Sequence, residues 1–206
     1  MKIIVIKQGV HGDKGKKGKI ERVIEPICGA VTLIKGKKNI IVDTGNLGYE
    51  SDIIKELKKN HTKPEQIDYV INTHRHFDHC SNNYLFKNAE RVTERSIWYP
   101  DKKVEVYKSI DDIKIPRVRL IATPGHQPEH ISVFVKAEKT YIIAGDAIEP
   151  QRIRNNFYKY NPNRAQIIAS IKKIFRIADV IIPGHGPMLD RNEIKKLQKI
   201  VASWRR

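Results

Sequence analysis

Residues Thr73–Cys80 read "THRHFDHC". Three of the chain's 8 histidines, together with one aspartate, crowd into this stretch. Histidines packed into a core do not come in threes beside an aspartate, so the pattern asks for a ligand. Neutral imidazole and carboxylate are the donors that suit zinc, iron or manganese, and no thiolate is needed. His74 and His76, two apart in an extended turn, can point the same way. Asp78 and His79 lie further along the turn, where they could serve a second ion.

The run before this stretch, "YVIN", has the composition of a strand, and the same arrangement recurs along the chain. "NIIV" is followed by Asp43 in "DTG", and "VRLIA" by "TPGH", ending at His126. "TYIIA" leads into "GD", ending at Asp146, and "DVII" into "PGHG", with His185. Five strand ends thus deliver Asp or His into turns, most of them marked by Gly or Pro. In layered α/β folds such ends are where sites assemble from distant sequence. Any one of these residues alone would pass for a turn residue; the cluster at 74–79 makes coincidence a poor explanation.

Further strand candidates are "IIVI", "AVTLI" and "ISVFV". Three segments have helical spacing. One covers about 52–59, with Ser51 as N-cap and Ile53, Ile54 and Leu57 on one face. A second covers about 164–176, with Ile167, Ile168, Ile171, Ile174 and Phe175 in register. The third starts after Asp190, which pairs with Glu193 in a capping-box-like arrangement and sends Ile194, Leu197 and Val201 inward. Strands alternating with helices predict an α/β fold of sheets covered by helices.

At 206 residues the chain fits one domain. Two cysteines, Cys28 and Cys80, are too few for a disulfide framework. No run approaches the roughly 18 apolar residues of a membrane span. The start, "MKIIVIKQG", has too short an apolar run for a signal peptide. A soluble, cytoplasmic protein is expected. The net charge is +16, which draws anions, nucleic acid among them; the alternative is a Lys- and Ile-rich composition of the thermophile kind. The segment "KQGVHGDKGKKGKIER", residues 7–22, reads as a mobile cationic loop, either a long hairpin tip or a flap whose Lys14, Lys16, Lys17 and Lys19 meet an anionic substrate.

"HRHFDH" followed in order by His126, Asp146 and His185 resembles the metallo-β-lactamase superfamily of hydrolases, and the resemblance runs from about Asp43 to His185. It implies a four-layer αβ/βα sandwich with metals at one edge of the sheets, here as a minimal single domain over residues 1–206. The implied first metal site is His74, His76 and His126, and the second is Asp78, His79 and His185, with Asp146 as the bridging carboxylate. Asp43 matches the family's Asp that holds a ligand histidine from behind. Asp146, where one group of true β-lactamases has Cys, points toward a glyoxalase II-like ligand set. Ser81 stands where the family commonly has Gly. Cys80 reads as a small packing residue and His130 as supporting or structural; His11 and His61 read as surface residues.

The resemblance implies two metal ions, zinc with iron or manganese as alternatives, and a metal-bridging hydroxide that attacks an ester, thioester or lactone. Asp78 is then the group that orients the nucleophile and takes its proton. The competing classes are a metal-dependent nuclease or phosphodiesterase, favoured by charge, and an iron oxidoreductase of the persulfide dioxygenase kind. After Asp146, "AIEPQRIRNNFYKYNPN" is the candidate pocket wall. Its Arg152, Arg154, Tyr158, Lys159 and Tyr160 suggest an anionic small-molecule substrate or a nucleic acid.

Overall fold

A computed structural model describes residues 1–11, 13–17 and 20–204. Strands β1 (Lys2–Lys7), β2 (Asp13–Lys17), β3 (Ile20–Glu25), β4 (Val31–Lys35) and β5 (Ile40–Val42) precede helix α1 (Glu50–Lys59). Next come β6 (Tyr69–Ile71), the one-turn helix α2 (Phe77–Cys80), β7 (Glu90–Val92), β8 (Ser96–Trp98) and β9 (Val104–Val106). The second half runs β10 (Val118–Ala122), β11 (Ile131–Lys136), β12 (Thr140–Gly145), α3 (Pro150–Arg154), α4 (Arg164–Ile177), β13 (Val180–Pro183) and α5 (Arg191–Ser203).

One sheet has seven strands in the order β1-β4-β5-β6-β7-β8-β9, the other four in the order β10-β11-β12-β13. The period-2 alternation of the strands decides what each face touches. In β5, Ile40 and Val42 face the opposite sheet, while Ile41 faces α1. Ile71 and Val70 divide in the same way in β6. On the other sheet Ile143 and Ile182 point to the shared interior, whereas Ile142, Ala144 and Ile181 point to α4 and α5. Three apolar layers result, one between the sheets and one under the helices on each outer face. Each fully buried Ile or Leu contributes about 1.5–3 kcal/mol. The αβ/βα sandwich expected from the sequence is the fold observed.

The apolar runs of the sequence become strands within a residue or two. Helix α5 has the expected cap, with Asp190 Oδ1 accepting from the backbone N–H of Asn192 and Glu193 at 2.8 and 2.9 Å. Helix α1 differs. It begins at Glu50, so Ser51 lies inside the first turn rather than capping it. Glu50 and Asp52 complement the helix dipole there. Its buried stripe is Ile53 and Leu57, and Ile54, one step around the helix, is 41% exposed.

Residues 13–17 pair antiparallel with residues 20–25, β2 with β3, which agrees with the hairpin alternative for the cationic segment 7–22. Glycine and lysine give that stretch no hydrophobic period, so only pairing reveals the strands. The expectation that Lys14, Lys16, Lys17 and Lys19 meet an anion falls on side chains outside the described residues. No helix among the described residues is long and apolar enough to cross a membrane.

Parallel pairing of β5, β6 and β7, and of β12 with β13, sends several C-terminal strand ends to the same edge of the sandwich. The chain bends away from that edge at Asp43, Thr73, Asp146 and Gly184.

Candidate metal centre

Two groups of donors meet at that edge. His74, His76, His126 and Asp146 offer atoms within 4.8 Å of one another, and so do Asp78, His79 and His185. His74 Nε2 and His126 Nε2 lie 3.1 and 3.0 Å from His76 Nδ1, and His79 Nε2 lies 3.4 Å from His185 Nε2. The outer nitrogens explain why these atoms face inward. His74 Nδ1 is 3.1 Å from Thr73 Oγ1, His79 Nδ1 is 2.8 Å from Asp43 Oδ2, and His185 Nδ1 is 3.0 Å from the carbonyl of Val10. An oxygen acceptor on the outer nitrogen favours N–H there and leaves the inner lone pair free. Convergent lone pairs beside carboxylates leave a place for a cation, so the donor set fits metal ions.

Asp146 sits between the groups, 5% exposed. Its Oδ2 faces His126 Nε2 at 3.4 Å and His74 Nε2 at 4.0 Å. Its Oδ1 faces His79 Nε2 at 3.1 Å and His185 Nε2 at 3.4 Å. Asp78 Oδ2 approaches His185 Nε2 at 3.3 Å and His79 Nε2 at 3.5 Å.

Asp43 ties three pieces together. Besides holding His79, its carboxylate accepts from the backbone N–H and the hydroxyl of Thr73, both at 2.7 Å. It has a positive φ of 54°, a conformation Asp tolerates better than most residues at a modest cost. The local backbone agrees, since Thr44 N donates to the carbonyl of His79 at 2.7 Å and Gly29 N to that of Asp78 at 2.8 Å. Ser81 has φ −62° and continues the right-handed turn of α2, so glycine is not required there.

Burial alone would push every imidazole here toward the neutral form, and for His74 and His126 it wins. His74 falls far below the usual histidine value and His126 to about 4. His79 is the opposite case. Burial disfavours its charge, but the Asp146 and Asp43 carboxylates lift it well above its ordinary value. Against the same burial, hydrogen bonds to Asp146 and Asp78 raise His185 to about 9. Asp146, despite its burial, is held far below the usual carboxylate range by His79 and His185.

The upward shifts of His79 and His185 mean that protons compete with a cation for these nitrogens, so metal uptake should release protons. Proton release on metal binding should be measurable in weakly buffered solution. Apparent affinity should rise with pH up to and through about 9, where His185 is half deprotonated. An affinity that does not change between about pH 6, near the ordinary histidine value, and about pH 9 would contradict this.

The proposed wall after Asp146 is only partly at the centre. Arg152 Nε lies 2.9 Å from Glu149 Oε2, whose other oxygen is 4.0 Å from His126 Nδ1. Arg154 instead turns to Glu193 of α5 at 3.1 Å. Lys159 and Tyr160 line a separate cleft with Arg154 and Trp204. Tyr158 is 4% exposed and belongs to the core under the helices. One face of the short turn at 157–160 packs inward, a placement that its local composition does not reveal. Cys80 is half-buried outside both donor groups.

His130 is buried behind His74, with ring centroids 5.1 Å apart, and Nδ1 lies 2.9 Å from Thr123 Oγ1. It is a supporting residue outside the two donor groups. His11 is exposed, as expected, yet it stacks on His185 with centroids 4.9 Å apart, at the mouth of the centre. Glu149, 1% exposed, has no counterpart among the expected residues. The one signal for it in the sequence is an acid placed three residues after Asp146 and directly before a proline.

Comparison with known proteins agrees with this geometry. The model of the metallo-β-lactamase superfamily matches residues 28–103. A probable metallo-hydrolase of Methanocaldococcus jannaschii is 36% identical over 160 residues, covering 75% of this chain and 74% of its own. An N-acyl homoserine lactonase of Bacillus cereus is 33% identical over 107 residues, 46% of this chain and 43% of that one. A subclass B3 metallo-β-lactamase of Bradyrhizobium japonicum superposes with a TM-score of 0.61 over 87% of each chain at 17% identity, which speaks for the fold alone. The fold, the His/Asp cluster at its sheet edge and the metallo-hydrolase relative together put the chain in the metallo-hydrolase class. The chain belongs to the metallo-β-lactamase superfamily.

Proposed function

We propose that the chain is a single-domain, dinuclear metal-dependent hydrolase that cleaves an ester, thioester or lactone. The observation that carries this reading is the position of Asp146, whose two oxygens face different histidine groups. His74, His76 and His126 would hold one ion and Asp78, His79 and His185 the other, zinc being the ion best suited to this donor set. Metals held there would lower the pKa of a bound water and polarise the electrophilic oxygen.

The chain's own residues supply the rest. Asp43, Thr73 and the carbonyl of Val10 fix the ring orientations of His79, His74 and His185. Asp78, with 14% of its side chain exposed, would orient the attacking water and take its proton. The lactonase relative supports a lactone or similar acyl substrate. The net charge of +16 supports a polyanion as the second reading.

Elemental analysis of purified protein should find about two transition-metal ions per chain, as a paired site requires. Thioester, lactone and phosphodiester reporters, each run beside His76→Ala, would then sort the substrate classes. One tightly held ion, unchanged by saturation with zinc, counts against the paired site. Metal-dependent cleavage of single-stranded RNA or DNA that vanishes in His76→Ala, with no ester turnover, reverses the ranking.

A further inference from the structure

Glu149 is a buried acid for which the proposed hydrolysis has no use. Neither of its oxygens accepts a well-formed hydrogen bond, although both are sealed from solvent. Its Oε2 lies 2.9 Å from Arg152 Nε and 3.9 Å from His11 Nδ1, and its Oε1 is 4.0 Å from His126 Nδ1. A buried carboxylate costs several kcal/mol unless it is compensated, so the surroundings must supply the compensation. Arg152 offsets part of that cost and is itself held in return.

The contacts of Arg152 define what remains free. Nε faces Glu149, and the guanidinium plane lies 4.8 Å from the ring centre of Phe157. No second acid among the described residues pairs with it. Its side chain is 34% exposed. With Nε engaged and the plane stacked, the forked Nη edge keeps its donors for something outside the protein. Arg152 stands one carboxylate away from both His126 and His11, near the mouth of the metal centre. Of the basic residues expected in this wall, Arg152 alone combines such a position with such fixing.

We propose that Arg152, oriented by Glu149 and Phe157, binds an anionic group on the substrate, a carboxylate or phosphate carried a few bonds from the scissile acyl centre. The inference rests on the hydrolase reading and adds a substrate class to it: acidic acyl esters, thioesters or lactones rather than neutral ones. A planar fork matches the two oxygens of a carboxylate, which a lysine ammonium does not. Glu149 is a positioning residue, acting on the substrate through Arg152. His126, 4.0 Å from the same carboxylate, keeps the anion subsite in fixed register with the metals.

The test uses the metal-loaded full chain and two thioesters of equal length, S-phenyl thiobutyrate and the mono-S-phenyl thioester of succinate. Wild type should prefer the succinyl ester in kcat/KM. Arg152→Ala should reduce that preference by about tenfold to a hundredfold, the usual worth of a hydrogen-bonded charge. Arg152→Lys, a gentler change should the alanine variant fold poorly, should recover part of it. Glu149→Gln should weaken the preference through KM rather than kcat, a split that simple misfolding does not produce. A wild type indifferent to the carboxylate, or a preference that survives Arg152→Ala, overturns the subsite and leaves hydrolysis standing.

Should neither thioester turn over, the thioester choice within the hydrolase reading fails, and succinate binding to the loaded wild type and to Arg152→Ala, followed by calorimetry, decides the subsite alone. Binding at least about tenfold weaker in the variant, the low end for a lost charged hydrogen bond, supports it. Equal affinity overturns it.

Discussion

Asp146→Ala should abolish turnover and lose one of the two ions of the proposed centre, because among the described residues no other carboxylate lies against histidines of both donor groups. Its oxygens lie 3.1 and 3.4 Å from His79 and His185 on one side and 3.4 Å from His126 on the other. Removing the carboxylate leaves two cations close together with no negative charge between them. The expected loss in kcat is on the order of a thousandfold or more, since one preorganised electrostatic group is usually worth about 10²–10³. Without metal the variant should also be less stable, by about 3–5 kcal/mol, because the buried and charged His79 loses a partner.

Asp43→Ala is the informative contrast. It also removes a buried acid beside His79, but from behind the ring, 2.8 Å from Nδ1. Loss of a partner in that position costs about 10–100-fold in metal affinity or activity. Metal content and kcat measured side by side on the two variants separate the roles. Equal, small losses from both would refute the bridging assignment.

The contrast also marks what can be seen in a sequence. The candidate ligands are legible because they follow apolar runs and enter short turns, and four of them fall within six positions of one another. Asp43 is legible by the same logic. Strands β7, β8 and β9 are not, because they have three residues each and partly exposed side chains, with Trp98 52% and Val106 72% exposed. Pairing, not local composition, makes them strands.

Glu149, Arg152 and His11 illustrate a second kind of limit. His11 reaches the centre only because residues near it bridge to distant ones, Gly9 to Gly186 and Val10 to Cys28. Arg152 and Arg154 are two apart and look equivalent in the sequence. Their neighbours decide otherwise, Glu149 for the first and Glu193 for the second. Tyr158 reads as an aromatic wall residue and is a core residue, since the turn that bears it tucks against Trp204, ring centroids 6.3 Å apart. Roles set by long-range packing leave little trace in a local pattern.

Gly184→Ala is the other substitution with a large expected effect, although glycine has no chemistry to lose. Gly184 ends the turn after β13, one residue before His185, and its backbone is locked. Its N–H donates to the carbonyl of Gly145 and its carbonyl accepts from Ala30, both at 2.8 Å. A Cβ added there would stand 1.9 Å from Asp146 Oδ1 and 2.8 Å from the carbonyl carbon of Gly145. The backbone cannot retreat without breaking both hydrogen bonds, and across from it Gly9 packs against the same carbonyl so closely that its own Cβ would be 1.9 Å away. The Asp146 carboxylate must therefore swing out of the space between the histidine groups. Overpacking of this kind costs about 1–3 kcal/mol, and the displaced carboxylate adds the metal loss expected for Asp146→Ala. Gly36→Ala is the control, because a Cβ there meets nothing nearer than 3.7 Å. Thermal melts with and without added zinc, together with metal content, read the difference. Gly184→Ala should melt earlier and gain little from zinc, while Gly36→Ala should follow wild type. A Gly184→Ala protein that retains two ions and full turnover would show that Asp146 does not need the place this glycine leaves for it.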